Sequence, residues 1–366
     1  MKLKRLVLNN FRNYREFNTE FNNRIVYITG LNGQGKTNLI ESISVLSLLY
    51  SFRTKNYQTL VKENEKNFYI SGDFTDSRGR ILDVNISFDG TNKKINFMDK
   101  KVDKMGDYYG KIPLVYLVPD QAVITTGPPL ERRKYIDSFI SLVSKDYLNA
   151  LKNYNQTLKQ RNLILSDLKQ KKGSSSPYLN VYNSQLIDYG SYIYRKRIEM
   201  INILNPILKK TVISIAPDIS DAKVIYKSSV LENNYVDDFK KKLERNLYLE
   251  IARGSSLIGP HKDELTFEFN SFNLRTYGSK GQHKIFLVSL KLAELEMIKS
   301  ITKEYPIFLI DDLYSEIDTD KSIQIVSILD RDIQTFITTC DSSKLNHFNT
   351  ESTQVIEISK GLIINA

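Results

Sequence analysis

The chain carries one cysteine, Cys340, among 366 residues. A lone thiol rules out an internal disulfide and suits a reducing compartment; its simplest role is that of a small buried residue. Three histidines, His261, His283 and His347, stand too far from one another and from that cysteine to make a zinc pattern, so a bound metal would have to use oxygen ligands. Nowhere does the sequence approach the run of about 18 apolar residues that a bilayer demands. The first apolar run is already broken by Asn9, Asn10 and Arg12. Secretion and membrane insertion are therefore not expected, and the cytoplasm is the expected location. Internal repeats are absent and low-complexity sequence is scarce.

What is present points to an anionic partner. Lys and Arg number 52 against 42 Asp and Glu, a net charge of +10, which favours nucleic acid first and an acidic membrane second. An apolar content of 41% supports a real core. The length allows two or three domains, or one split domain with an insertion.

The most informative stretch is Gly30-Leu31-Asn32-Gly33-Gln34-Gly35-Lys36-Thr37-Asn38, directly after the apolar run Ile25-Val26-Tyr27-Ile28. Glycines at 30 and 35 followed by Lys36 and Thr37 have the spacing of a phosphate loop. Backbone N–H groups turn inward around an anion, and the helix behind presents its positive end. Lys36 would reach the β- and γ-phosphates of ATP, and Thr37 would hold Mg²⁺. A glycine-rich turn with a solvated lysine is the plainer reading, but the placement between strand and helix favours the nucleotide.

Residues 1–125 read mainly as strands. Phe68–Phe74, Ile81–Phe88 and Lys94–Phe97 alternate in part and are separated by turn residues such as Asp89-Gly90, which predicts an antiparallel sheet beside the loop. After Gly127-Pro128-Pro129 the period changes. Tyr147, Leu151, Tyr154, Leu158, Leu165 and Leu168, then Tyr182, Leu186, Tyr189, Ile193 and Met200, recur at helical spacing on either side of Gly173–Pro177, which predicts a compact helical hairpin. Residues 126–200 hold 13 Lys/Arg against 6 Asp/Glu, with eight tyrosines. Such a mixture can bind a phosphate backbone, and equally describes a solvated helix face with tyrosines in the core. Sheet signals return after 250, where Leu265–Phe269 alternates and Ile307–Ile310 reads as a buried parallel strand. The expected organisation is thus an ATPase head from 1–125 and 251–366, with a helical arm inserted at 126–250.

Two further motifs extend the nucleotide reading. Asp311 and Asp312 end the apolar run Ile307–Ile310; in a phosphate-loop fold the first carboxylate serves the metal and the second orients or deprotonates the attacking water. Alone this would be an acidic turn; beside the loop it argues for ATP hydrolysis. Tyr277-Gly278-Ser279-Lys280-Gly281-Gln282, 32 residues before Asp311 counting from Ser279, opens a predicted helix through Lys284 to Ser300 and looks like the signature motif of ABC-type ATPases. Ser279, Gly281 and Gln282 would bind a γ-phosphate at that helix start.

Taken together, these residues resemble the RecF family of bacterial recombinational-repair ATPases, relatives of the SMC heads. The ordered landmarks are Asn10–Tyr14, Gly30–Asn38, Ser51–Thr54, Gly127 with Arg132-Arg133, Gln160–Asn162, Gly259–Asp263, and Asp311-Asp312 with Ser315–Asp318, the last resembling a D-loop. The resemblance implies an α/β fold: an ABC/SMC-type P-loop ATPase head with an antiparallel β subdomain and an inserted compact helical domain. It also implies a composite site, in which the signature motif faces the phosphate loop of a second subunit and ATP joins a symmetric dimer. Further implications are weak DNA-stimulated ATP hydrolysis to ADP and phosphate, binding of single-stranded or gapped DNA, action with RecO and RecR to load RecA, and roles in replication-fork maintenance and the SOS response.

Two features depart from the transport relatives of this fold. Where those carry a switch histidine, Thr335–Cys340 offers only hydroxyls and a thiol, so hydrolysis should be weaker or differently triggered. Pro119-Asp120-Gln121 lies near the expected Q-loop, with either Asp120 or Gln121 as the Mg²⁺ sensor. A transport-type subunit would need that histidine and a membrane-docking surface. An SMC- or RecN-like tether would need a far longer coiled coil than this arm.

Overall fold

Alternation decides the first sheet. In β4 (Phe68–Thr75) and β5 (Ile81–Phe88) every second side chain is buried, as one covered face requires. With β1 (Lys2–Phe11), β2 (Tyr14–Glu20), β6 (Lys93–Phe97) and β7 (Lys100–Lys101) they form an antiparallel sheet ordered β2-β1-β4-β5-β6-β7. This is the expected sheet, and the N-terminal hairpin is part of it.

The second sheet is built differently. β3 (Ile25–Thr29), β12 (Ile307–Ile310) and β13 (Thr335–Thr339) are buried at every residue, the mark of strands covered on both faces. Together with β8 (Leu114–Leu117), β14 (Thr353–Ser359) and β15 (Leu362–Asn365) they run in the order β15-β14-β3-β13-β12-β8. All neighbours are parallel except β15, which pairs antiparallel with β14. The carboxyl ends of five parallel strands therefore share one edge, where open α/β sheets bind ligands.

The computed structural model describes residues 1–173, 176–312, 319–329, 332–340 and 353–365. The chain divides into two compact units, one made of Met1–Ala122, Lys210–Asp218 and Ser279–Ala366, the other of Val123–Lys209 and Ile219–Gly278. Both sheets above belong to the first, with α1 (Lys36–Leu48) and α2 (Met105–Tyr108). α1 is buried from Leu39 to Leu48 although it carries Glu41, Ser42, Ser44 and Ser47. Each of these has a partner: the serine hydroxyls donate to the carbonyls of Leu39, Glu41 and Ile112, and the Glu41 carboxylate accepts from Arg12 at 2.6 and 2.9 Å.

The second unit holds α3 (Val123–Thr126), α4 (Pro129–Val143), α5 (Lys145–Gln170), most of α6 (Tyr178–Ile215), α7 (Tyr235–Arg253) and α8 (Leu274–Tyr277). The expected helical hairpin is α5 and α6. It also holds a three-stranded sheet, β11-β10-β9, made of β9 (Ala222–Lys227), β10 (Glu264–Phe269) and β11 (Phe272–Asn273). The boundary expected at 250 thus falls inside this unit, which continues to Gly278. The alternation of Leu265–Phe269 identified a strand correctly, but its partners are β9 and β11 of the arm and no strand of the head.

The first unit is completed by α9 (Lys280–Thr302) and α10 (Thr319–Leu329). Cys340 is exposed and not the small buried residue expected of it.

Several sequence landmarks meet inside the second unit as internal ties. Arg161, fully buried, donates to Glu250 Oε2 at 2.6 Å, Ser256 Oγ at 2.7 Å and Asn183 Oδ1 at 2.7 Å. Asn162 Oδ1 accepts from the Ser256 amide and hydroxyl. Arg197 is held by Asp137, the Tyr226 hydroxyl and the Pro260 carbonyl. Arg132 donates to the carbonyls of Leu265 and Gly127. Arg132, Arg161 and Arg197 are buried, so three of the cations counted in the basic segment are not available to a surface ligand.

His261 belongs to the same interior. Its Nδ1 lies 2.6 Å from the Tyr154 hydroxyl and its Nε2 3.3 Å from the Ser256 carbonyl, which makes Nε2 the protonated nitrogen. Burial lowers its pKa from 6.5 to about 4, against a smaller raising effect of the Ser256 bond. Above the unfolded value both states are neutral there. As pH falls from 6.5 towards 4 the unfolded chain takes up a proton that the folded chain resists, so stability is lost across that window. The expected loss is on the order of 2 kcal/mol, less than the whole shift converts to because the ring keeps some contact with water. Urea midpoints of the wild type and His261→Gln, compared from about pH 7 down to about pH 4, check this; equal slopes for the two proteins would remove His261 as the cause.

Candidate nucleotide site

The loop after β3 is held in shape by backbone that only glycine supplies cheaply. Gly30 has φ +139°, and a Cβ there would meet the Ile358 carbonyl oxygen at 2.2 Å. Gly35 has φ +113°, and a Cβ there would meet the Asn13 side chain at 2.4 Å. Two hairpins brace the loop. From the β1–β2 turn, Asn13 Nδ2 donates to the Gln34 carbonyl at 2.9 Å and the Tyr14 hydroxyl to the Gly35 carbonyl at 3.0 Å. From the β14–β15 turn, the Lys360 amide donates to Gln34 Oε1 at 2.6 Å and the Gly361 amide to the Gln34 carbonyl at 3.1 Å.

Lys36 curls over this loop, its ammonium on the carbonyls of Gly30 at 2.7 Å and Leu31 at 2.9 Å. Leu31, Asn32 and Gly33 are exposed at the crest. The Asn38 side chain is engaged internally: its Nδ2 donates to Asn13 Oδ1 at 2.8 Å and its Oδ1 accepts from Arg53 at 3.1 Å.

Asp311 and Asp312, at the end of β12, come to the same place. The Thr37 hydroxyl lies 2.9 and 3.0 Å from the two Asp311 carboxylate oxygens. Thr338, at the end of β13, donates its hydroxyl to Asp311 Oδ1 at 2.6 Å and accepts from the Asp312 amide at 2.9 Å. Burial raises the Asp311 carboxyl above its usual 3.8, while the hydrogen bonds from Thr338 and Thr37 pull it back down and Arg53 acts in the same sense. Asp312 sits at φ +53°, a backbone setting uncommon for a residue with a side chain and frequent at working sites.

Ser279, Gly281 and Gln282 lie at the start of α9, in the first unit with the loop. Ser279 is the N-cap: its Oγ accepts from the Gln282 amide at 3.2 Å and its amide donates to Gln282 Oε1 at 2.8 Å. This capping box gives both side chains a structural task. Gly281 is different, since a Cβ there would meet only Ser279 Oγ, at 3.9 Å. Among the described residues no hydrogen bond joins this turn to the phosphate loop. The D-loop residues Ser315, Glu316, Ile317 and Asp318 lie outside the described residues.

Two participants were not assigned from sequence, and a third had been left between Asp120 and Gln121. Thr338 takes the place near the carboxylates where a switch histidine was sought, and the strand Thr335–Cys340 had shown a hydroxyl there. Lys360-Gly361 braces the loop with nothing in its local sequence to announce it. Gln121 follows β8 in the turn Pro119–Ala122, and its Oε1 is buried without a hydrogen-bond partner among the described residues, whereas Asp120 is exposed. The Asp311 amide donates to the Leu117 carbonyl, so β8 and β12 end side by side.

The residues fit a nucleotide and a hard cation. Gly33, where a Cβ would meet nothing, leaves the crest of the loop open to an anion, Thr37 and Asp311 present adjacent oxygens, and Gln121 Oε1 is a buried acceptor unpaired among the described residues. Among the described residues no cluster of three or more His, Cys, Asp or Glu offers another metal site, and no helix is long and apolar enough to cross a membrane.

Comparison with known proteins agrees with the geometry. Residues 2–104 match the family model described as the RecF/RecN/SMC N terminal domain. A protein of Streptococcus suis named DNA replication and repair protein RecF is 35% identical, over 99% of both chains. One of the same name from Staphylococcus carnosus is 34% identical over 100% of both. Among solved structures, the recombination mediator protein RecF with ATPrS, of the RecFOR pathway, superposes with a TM-score of 0.88 at 30% identity, covering 99% of this chain and 97% of that one. An SMC head bound to the C-winged helix domain of ScpA superposes at 0.58 and 13% identity, a likeness of fold alone.

Proposed function

The chain belongs to the RecF family of DNA replication and repair proteins, and on that premise we propose that it binds ATP with Mg²⁺, dimerises on it around DNA, and hydrolyses it slowly. The observation that carries the reading is the Thr37–Asp311–Thr338–Asp312 chain of hydrogen bonds beside the glycine loop. Amides of residues 30–38 and the Lys36 ammonium would hold the phosphates. Thr37 and Asp311 would hold Mg²⁺, with Gln121 as its sensor. That ion, when bound, neutralises charge on the phosphate oxygens. Asp312 would orient the attacking water and accept its proton, with Thr338, in place of a histidine, fixing the Asp311 carboxylate and the Asp312 backbone. Arg53, bonded to Asn38 and felt electrostatically by Asp311, would add a positive charge on the phosphate side.

The second half of the site would come from Ser279 and Gly281 of the partner subunit. Among the described residues nothing crowds Gly281, which leaves its backbone open to a close approach. Hydrolysis would release the dimer from DNA. In the cell the protein would act in the cytoplasm with RecO and RecR to load RecA at single-strand gaps, in replication maintenance and in the SOS response. The arm hairpin, of 26 and 38 residues, is too short for an SMC- or RecN-like tether.

Sedimentation with ATP and Mg²⁺ tests the composite site. Wild type should dimerise, while Ser279→Arg stays monomeric and still binds ATP. Because Ser279 also caps α9, Ser279→Asp is the sharper variant: it keeps the cap but places a negative charge where a phosphate is due. A dimer of undiminished affinity in both variants would exclude this turn from the interface, and a wild type that stays monomeric with ATP bound would end the clamp reading.

A further inference from the structure

Between α5 and α6 lies an open cleft of about 510 Å³ whose lining carries no charge. Asn153, Gln156 and Gln160 line it from α5, and Tyr182, Gln185 and Tyr189 from α6. Both sets step by three and then four residues, the spacing of one helix face. Asn153, Gln156, Gln160, Tyr182 and Tyr189 make no side-chain hydrogen bond to any other described residue. The cleft is nonetheless firmly built: the buried Arg161 donates from α5 to Asn183 of α6 at 2.7 Å, and Thr157 donates to Gln185 Oε1 at 3.2 Å. The two helices are therefore tied together, while the polar groups of Asn153, Gln156, Gln160, Tyr182 and Tyr189 remain free to serve something else.

The lining selects the ligand chemistry. An anion would find no cation in these walls, and an apolar group would leave the amides unpaired. A flat, neutral group with alternating donors and acceptors suits both the amides and the tyrosine faces, and a nucleobase is such a group. The volume is in the range of small-ligand sites. Lys152 and Lys159, both exposed, stand next in sequence to Asn153 and Gln160 in α5, as the exposed Asp188 does to Tyr189 in α6. A neutral sugar would have no use for those lysines; a base flanked by phosphates would. In a duplex the Watson–Crick edges are already paired and the faces stacked, so only an unpaired base can present both to the cleft.

We propose that this cleft receives an unpaired nucleobase of single-stranded DNA, an inference that rests on the DNA-binding reading above and makes the arm the element that recognises exposed bases. The test measures fluorescence anisotropy of the full chain with three labelled probes: a single strand, the same strand stripped of its bases, and a duplex. Wild type should bind the intact strand roughly tenfold more tightly than the abasic one. Gln156→Ala/Gln160→Ala, on exposed helix positions where alanine is well tolerated, should bring that ratio close to one and leave duplex affinity unchanged. Tyr182→Ala should do the same by removing a stacking face. An unaltered ratio in both variants overturns the proposal, as does a wild type that binds intact and abasic strands equally. Variants that keep the ratio but lose a protein partner would assign the cleft to that protein and overturn it too. Failure to bind any of the three probes would instead strike at the DNA-binding reading itself.

Discussion

Replacing Asp312 by Asn should lower ATP turnover by roughly a hundredfold or more while leaving ATP-driven dimerisation intact. The backbone makes this a clean experiment. Asp312 occupies the left-handed region at φ +53°, which asparagine adopts as readily as aspartate, and its amide would still donate to Thr338. What asparagine cannot do is accept a proton from water. On the proposed reading Asp311→Asn differs in kind, because the neighbouring carboxylate would hold the metal: nucleotide affinity falls together with turnover. Thr338→Val should land between them, since both carboxylates stay but the hydroxyl that ties the Asp311 carboxylate to the Asp312 amide is lost. Single-turnover hydrolysis beside sedimentation separates the three. Turnover in Asp312→Asn within a few-fold of wild type would take the base role away from this residue.

The largest effect on stability is expected far from the chemistry. Arg161→Met should destabilise the arm unit by about 3–5 kcal/mol, because it leaves the fully buried Glu250 carboxylate without its cation. A surface pair such as Lys134–Glu131 contributes only a few tenths on the same scale. The cost arises from an uncompensated buried charge and does not measure what the pair adds. Arg161→Met/Glu250→Leu should therefore recover most of the loss. Urea unfolding of the single and double variants decides it. A double variant as unstable as Arg161→Met would mean that the bonds of Arg161 to Asn183 and Ser256 carry the effect instead.

What could be read from the sequence was whatever is written locally. A phosphate loop spells its strand, turn and helix within a dozen or so residues, and Asp311 directly follows the apolar run that forms β12. Period-two alternation marked β10 as a strand but said nothing of its partner, so Leu265–Phe269 was placed in the head although it pairs with β9 in the arm. Charge counting failed for a related reason. Arg132, Arg161 and Arg197 add to a basic segment on paper, yet each is buried among carbonyls, hydroxyls or carboxylates that lie many residues away. Thr338 and Lys360-Gly361 reach the site only by parallel pairing across more than three hundred residues, which no local pattern encodes. Ser279 and Gln282 form a helix cap within one protomer, and the signature role proposed for them would be completed only by a second.

The order of strands in the second sheet also governs how the protein is made. Residues 25–29 of β3 pair with 335–339 on one side and 353–357 on the other, and the turn that braces Gln34 comes later still. On the ribosome the phosphate-loop strand therefore emerges with both of its edges unpaired and waits through synthesis of the entire arm before its neighbours exist. During that interval the arm can fold as a unit while the head remains an incomplete, aggregation-prone sheet. A nascent chain stalled before β13 would display the whole nucleotide-binding motif and have no nucleotide site.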